Sequence, residues 1–135
     1  MPAEISPEFA ERIRSAYYVW FTTVRADGMP QPTPVWFIWE NDTFLIYSMP
    51  TAQKIRNIRQ NPKVALSFAD SNDAESYIVI MGEATIEEGA PLANQVPAYL
   101  AKYADGIKDI GMTPESMAQS FSTAIRVRPI HVRGE

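Results

Sequence analysis

The chain predicts a mainly-β domain: a closed or nearly closed antiparallel barrel of six strands with a few short helices. Three observations carry that prediction. Short β-branched and aromatic runs recur along the chain. Turn residues separate most of them at hairpin length, which favours an antiparallel meander. Between the third and fourth runs lies one segment with helical rather than strand patterning. The 135 residues fit a single domain spanning 1–135 and suffice to bury a core. No repeat, low-complexity tract or linker divides them.

The elements follow in order. Ser6-Pro7-Glu8 opens a helix to about Ala16, with serine as cap and proline at the first helical position. Phe9 and Ile13 share one side of it, which should pack on the body of the domain. Tyr17 to Val24 is aromatic and β-branched and reads as the first strand, and Asp27-Gly28 supplies a turn. Val35-Trp36-Phe37-Ile38-Trp39 reads as a second strand buried on both faces, since neither parity is polar. Asn41-Asp42 makes a tight hairpin into Phe44-Leu45-Ile46-Tyr47. Pro50 then breaks the strand pattern and Thr51 can cap a helix that Asn61-Pro62 stops. Val64 to Phe68 is the fourth strand, Ser71-Asn72-Asp73 a turn, and Tyr77 to Ile86 a long fifth strand. Gly82 within it marks a bulge or a close approach of another backbone. Helices begin at Pro97 and at Thr113-Pro114-Glu115, and Ile125 to Val132 alternates as a sixth strand.

Composition narrows the function. Apolar residues at 46% and charged residues at 21% are an ordinary globular balance. A net charge of −4 argues against a general nucleic-acid binder. The absence of cysteine excludes disulfides, thiolate catalysis and thiolate metal sites, and suits a reducing cytoplasm. The segment Met1 to Glu8 carries acidic residues and no long apolar run, so it does not read as a signal peptide, and no stretch elsewhere could span a bilayer. His131 is the one histidine, and no ligand spacing around it supports a metal. A serine hydrolase would need it as base, yet the chain has no nucleophile elbow.

Against this acidic background stands a local basic cluster, Gln53-Lys54-Ile55-Arg56-Asn57-Ile58-Arg59, directly after Tyr47-Ser48 and the break at Pro50. Free N–H groups and the dipole at a helix start favour an anion, and Lys54 or Arg56 can add charge-assisted bonds. A small phosphate-bearing ligand is one reading. The other is a solvated basic helix face.

Several segments together resemble a known family. Thr22-Thr23-Val24-Arg25-Ala26-Asp27-Gly28-Met29-Pro30-Gln31-Pro32-Thr33-Pro34-Val35-Trp36-Phe37 is similar to the first hairpin of the flavin-binding split-barrel proteins, relatives of pyridoxamine 5'-phosphate oxidase. Lys54 to Leu66 is similar to their cofactor-phosphate helix and following strand, and Gly82-Glu83-Ala84 also matches. The closing Ile125-Arg126-Val127-Arg128-Pro129 resembles the deazaflavin-dependent branch. The resemblance runs from about Tyr17 to Gly134. It implies an FMN-binding split barrel, six-stranded and antiparallel, that acts as a homodimer with a flavin-type cofactor between protomers. It further implies phosphate contacts from Tyr47, Ser48, Lys54 and Asn57, with Gln53 and Arg56 as further candidates. The ring system would lie along Thr33, Pro34, Val35 and Trp36.

The chain departs from the oxidase itself. That enzyme has phosphate-holding cations on its second strand, where this chain reads Val35-Trp36-Phe37-Ile38-Trp39. Its arginine–histidine motif near the C-terminus is not reproduced by His131 between Arg128 and Arg133. The reading is therefore an oxidoreductase moving a hydride between coenzyme F-420, a deazaflavin, and a small organic acceptor. An FMN oxidoreductase on the same scaffold and a non-catalytic cofactor- or tetrapyrrole-binding module are the alternatives. Arg56, Arg59 and Lys63 extend basic charge past the phosphate, which a polyglutamate tail would use and FMN would not. Of Trp36 and Trp39, on opposite faces by parity, one is a core residue and the other a pocket or interface wall. No side chain stands out as acid or base, as expected when a cofactor carries the chemistry.

Overall fold

In the computed structural model, which describes residues 3–135, seven strands form one antiparallel sheet. They are β1 (Val19–Val24), β2 (Pro30–Val35), β3 (Ile38–Glu40), β4 (Thr43–Ser48), β5 (Lys63–Ala69), β6 (Tyr77–Ile86) and β7 (Thr123–Gly134). Their spatial order is β2-β1-β5-β6-β7-β4-β3. The two edges, β2 and β3, are thus consecutive in the chain and separated only by Trp36 and Phe37. A link that short reaches roughly 11 Å from Cα to Cα. The sheet must curl until its edges meet there, which makes it the split barrel the sequence implied. Among the described residues there are also four α-helices, α1 (Pro7–Ser15), α2 (Gln53–Gln60), α3 (Pro97–Asp109) and α4 (Pro114–Ser120), and a 3-10 turn at Ala93–Gln95. Met1 and Pro2 lie outside the described residues, so the reading of the N-terminal segment is followed only from Ala3 onward.

One strand more is present than expected, and the reason is proline. Pro30, Pro32 and Pro34 alternate along β2 and are all exposed. Alternate residues of an edge strand turn their N–H away from the neighbour, so prolines there cost no ladder bond and also protect the edge. The apolar run from Val35 to Trp39 is correspondingly not one strand. Val35 ends β2, Ile38 begins β3, and the chain bends between them. The bend is held by α3: the Phe37 N–H donates to the Tyr103 hydroxyl oxygen at 2.8 Å, and Lys102 Nζ donates to the Phe37 carbonyl at 3.0 Å. The Tyr103 hydroxyl in turn has the Tyr17 carbonyl at 2.7 Å as acceptor.

Local signals elsewhere translate directly. Ser6 Oγ accepts from the Phe9 N–H at 3.2 Å, and Thr113 caps α4 by accepting from the Ser116 N–H at 3.1 Å. Asn41 and Asp42, at φ 52° and 59°, form the left-handed hairpin turn. At Met81/Gly82 the β6–β7 register shifts, and a Cβ on Gly82 would collide with the Arg128 carbonyl oxygen, so bulge and close approach coincide. Thr51, however, does not cap α2. An Ala52 N–H to Met49 carbonyl bond of 3.1 Å closes a turn through Pro50-Thr51 and moves the helix start to Gln53, leaving Ala52 in the cap position with no side-chain acceptor.

The core has two parts. Phe21, Phe37, Phe44, Ile46, Leu66, Ile80 and Ile125 fill the barrel, with Ile13 of α1 and Ile55 and Ile58 of α2 packed against them. Each such side chain contributes about 1.5–3 kcal/mol on burial. A second cluster, including Tyr47, Tyr99, Tyr103, Ile107 and Met117, joins β4 to the inserted helices. That second cluster floors the cavity described next.

Candidate functional site

A cavity of about 640 Å³ opens where β1, β2, β4 and the start of α2 face the inserted helices. That volume suits a single flat organic ligand. Pro34, Val35 and Trp36 supply one wall, Tyr47, Ser48 and Met49 another, and Tyr99, Ile110, Met117 and Phe121 a third. Tyr18 and Trp20 stand at the rim and are exposed, as are Met49 and Ile110.

Trp36 is fixed rather than mobile. Its ring stacks on Tyr103 at 4.6 Å and 11°, with the Tyr17 ring edge-on at 6.0 Å. Gly106 makes room for this, because a Cβ there would meet the Tyr17 hydroxyl and, at 3.1 Å, the Trp36 ring. The result is a rigid flat wall. Trp39 packs on Phe44 at 4.7 Å against the barrel core, so the two tryptophans divide as expected.

Among the described residues, Lys54 is the single charged one in the cavity wall. It is half-buried, and no carboxylate or hydrogen-bond acceptor pairs with it among the described residues. Burial lowers its pKa from the ordinary lysine value, with no anion to oppose the shift. It occupies the second position of α2. The N–H groups of Gln53 and Lys54 make no intrachain bond among the described residues, since the first bond of the turn runs from Ile55 to Ala52 at 3.1 Å. An uncapped helix start beside the cavity and an uncompensated cation in its wall together have the chemistry of an anion site.

Six of the ten sequence-derived site residues meet here: Pro34, Val35, Trp36, Tyr47, Ser48 and Lys54. Four do not line the cavity. Asn57 is 1% exposed and ties α2 to the sheet, donating to Thr23 Oγ1 and Gln31 Oε1, both at 2.9 Å, while accepting from Gln53 Nε2 at 2.9 Å. Both its N–H groups are therefore committed. Gln53 is held by Asn57 and by Arg56, and Arg56 also donates to the Thr51 carbonyl at 2.9 Å. Thr33 Oγ1 is buried with no partner. Arg59 is exposed, 4.0 Å from Glu88, and Lys63 is exposed at the start of β5.

Two cavity tyrosines are tuned differently. The Tyr47 hydroxyl donates to the Pro91 carbonyl at 2.7 Å, and burial, with the Glu40 charge second, pushes its pKa up to about 12. Burial raises Tyr99 further, so it too stays protonated. Sequence reading missed Tyr18, Trp20, Met49, Ala52, Tyr99, Ile110, Met117 and Phe121. Trp20 is the one that was legible: a tryptophan at the parity opposite the core residues Val19 and Phe21 needs a use. The helical residues depend on how the insertion folds back, which no local pattern encodes.

The family model described as pyridoxamine 5'-phosphate oxidase matches residues 5–134. No curated protein matches the chain. Among solved structures, a conserved hypothetical protein from Mycobacterium tuberculosis is 19% identical with a TM-score of 0.79, the match covering 98% of this chain and 85% of that one. An F-420 reductase is 25% identical with a TM-score of 0.71, covering 96% and 98%. HutZ, the heme storage protein from Vibrio cholerae, is 16% identical with a TM-score of 0.67, covering 98% and 95%.

Proposed function

The chain belongs to the pyridoxamine 5'-phosphate oxidase family, and on that premise we propose that it binds coenzyme F-420 and transfers a hydride between it and a small organic acceptor. The observation that carries this reading is Lys54, half-buried and unpaired among the described residues, beside an uncapped helix start in an otherwise uncharged cavity. A phosphate there would satisfy two N–H groups and one cation together. The Pro34-Val35-Trp36 wall gives a planar ring an apolar, pre-set surface, Ser48 lies next to it, and nothing in the wall would oppose an anion. When bound, the deazaflavin ring supplies the hydride. The residues of this chain bind, orient and keep water out.

The likeness at 25% identity to an F-420 reductase supports that cofactor over FMN, as does the second strand's lack of cations. A tetrapyrrole role finds less support: His131 is exposed on β7, paired in register with Met81, and is not in the cavity wall. A cytoplasmic setting suits a chain without cysteine.

The site is completed by a second copy of the chain. Across the outer face of the sheet run two rows of partners, Pro34–Trp20–Ser67–Val79 and Pro32–Thr22–Ala65–Met81. Neither row contains a charge until β7, where Arg133 and His131 are the next partners, and Trp20 and Pro34 belong also to the cavity. A face uncharged across four strands suits a homodimer interface. Trp20→Glu should give a monomer by light scattering at micromolar concentration, with weaker cofactor binding. A wild-type monomer that still holds cofactor would refute an interfacial site.

The activity test is oxidation of reduced F-420 by a panel of quinones, enones and nitro compounds. Turnover of at least one is expected. Tight cofactor binding without any turnover would transfer support to the binding-module reading, and a preference for FMN would transfer it to the FMN oxidoreductase.

A further inference from the structure

The start of α2 has no side-chain cap, and a chain of hydrogen bonds holds it in the cap's place. A capping side chain would take up N–H groups that an anion needs, yet a helix start left open tends to fray. Arg56 donates to the Thr51 carbonyl, just ahead of the helix, at 2.9 Å, and to Gln53 Oε1 on its first residue. Gln53 Nε2 donates to Asn57 Oδ1, and Asn57 Nδ2 donates to Thr23 Oγ1 of β1 and Gln31 Oε1 of β2, each at 2.9 Å. Asn57 and Thr23 are 1% exposed, so this end of the chain lies out of water. Ile55 and Ile58 already pack α2 on the barrel, and a third apolar residue at position 57 would serve that purpose at lower cost. Apolar contact is non-directional and lets a helix slide or turn slightly; hydrogen bonds fix its place.

We propose that Asn57, with its acceptors Thr23 and Gln31, is a positioning clamp: it sets where Lys54 and the open start of α2 stand relative to the Pro34-Val35 wall, and so governs affinity for a phosphate-bearing cofactor without touching it. The proposal rests on the anion-site reading of Lys54 and deepens it. None of the three residues lines the cavity. Gln31 lies on β2, the strand that carries Pro34 and Val35 of the wall, and Thr23 lies on β1, the strand that carries Trp20. The two bonds from Asn57 therefore tie α2 to the strands that hold the ring, and one side chain sets the spacing between ring and phosphate. A charge-assisted bond depends steeply on donor distance and angle, so a small displacement of the helix start costs phosphate affinity first. The ring wall keeps its own support, since Trp36 stacks on Tyr103 independently of α2.

The test uses the full chain and two substitutions outside the cavity. Thr23→Val is isosteric and Gln31→Met keeps the side-chain length, and each removes one acceptor of Asn57. Titration calorimetry compares F-420 with its phosphate-free ribityl deazaflavin portion. Each variant should hold F-420 about 3- to 10-fold less tightly, the range of one neutral hydrogen bond, while affinity for the phosphate-free ring stays unchanged. The loss caused by Lys54→Met should also shrink in the Thr23→Val background, since both changes act on one anion contact. Circular dichroism checks folding, and the part-buried Gln31 keeps the test open if Thr23→Val does not fold. Unchanged F-420 affinity in folded variants overturns the proposal and makes the clamp a stability device alone. Equal losses for the two ligands, or a Lys54→Met effect that simply adds, also overturn it. Failure of the underlying reading shows separately, in wild type: F-420 that binds no better than the phosphate-free ring, or not at all, refutes the anion site and the proposal with it.

Discussion

Replacing Lys54 with methionine should strengthen the fold and weaken the site in one step. The lysine is half-buried without a counter-charge among the described residues, and it sits at the positive end of α2. A cation in the first turn opposes the helix dipole by about 0.3–1 kcal/mol. Methionine keeps the length of the stem and removes both that term and the desolvation cost. The melting temperature of the cofactor-free protein should therefore rise by about 2–5 °C. Cofactor binding should move the other way. Loss of one charge-assisted hydrogen bond is worth about 1.5–3 kcal/mol, or roughly ten- to a hundred-fold in Kd. Differential scanning calorimetry reads the first effect and isothermal titration the second. The pH dependence follows in sign: burial lowers the lysine pKa, and a bound phosphate restores it. Binding then takes up a proton above the free-state pKa, and affinity falls as pH rises through it. Arg59→Ala is the control, because Arg59 is exposed outside the cavity. Equal losses in both variants would make the cluster a diffuse electrostatic patch. No loss in either would make it a solvated helix face.

Three further outcomes test the frame around the site. Gly82→Ala drives a Cβ into the Arg128 carbonyl and should destabilise by about 1–3 kcal/mol in urea unfolding, whereas no change would mean that the bulge relaxes freely. Tyr103→Phe leaves the buried Phe37 N–H without its acceptor and should cost about 1–3 kcal/mol, with a shift in tryptophan fluorescence because the ring that Trp36 stacks on is no longer anchored by its hydroxyl. Burial lowers Lys102 from 10.5 to about 8. Between those values the unfolded chain holds a proton the folded chain has released, so stability from this group rises with pH there, and Lys102→Met should flatten that part of the melting-temperature profile.

How much of this was legible in the sequence depended on whether the signal was local. Ser6, Thr113, Asn41-Asp42 and Gly82 act through their own backbone, and each does in the fold what its residue type promised. The strand break at Trp36-Phe37 was not legible, since it is held by Tyr103 and Lys102 from a helix more than sixty residues away. The alternate prolines of β2 gave no strand pattern of their own, because their meaning depends on the strand lying at an edge. Thr51 lost the cap to a turn closed by Met49. In the site, the resemblance brought together the strand and helix-start residues, while Asn57, which it also named, does not line the cavity and has both N–H groups bonded to β1 and β2. The wall from α3 and α4 had no sequence signal, because it is set by how the insertion packs on β4.

The central claim is that a phosphate-bearing deazaflavin sits in the cavity with Lys54 against its phosphate. Parallel calorimetric titrations of wild type and Lys54→Met with F-420 and with FMN test it most directly. The account predicts that F-420 binds wild type at least as tightly as FMN and that Lys54→Met weakens it about ten- to a hundred-fold. Tighter binding of FMN, or F-420 affinity untouched by the substitution, would contradict it.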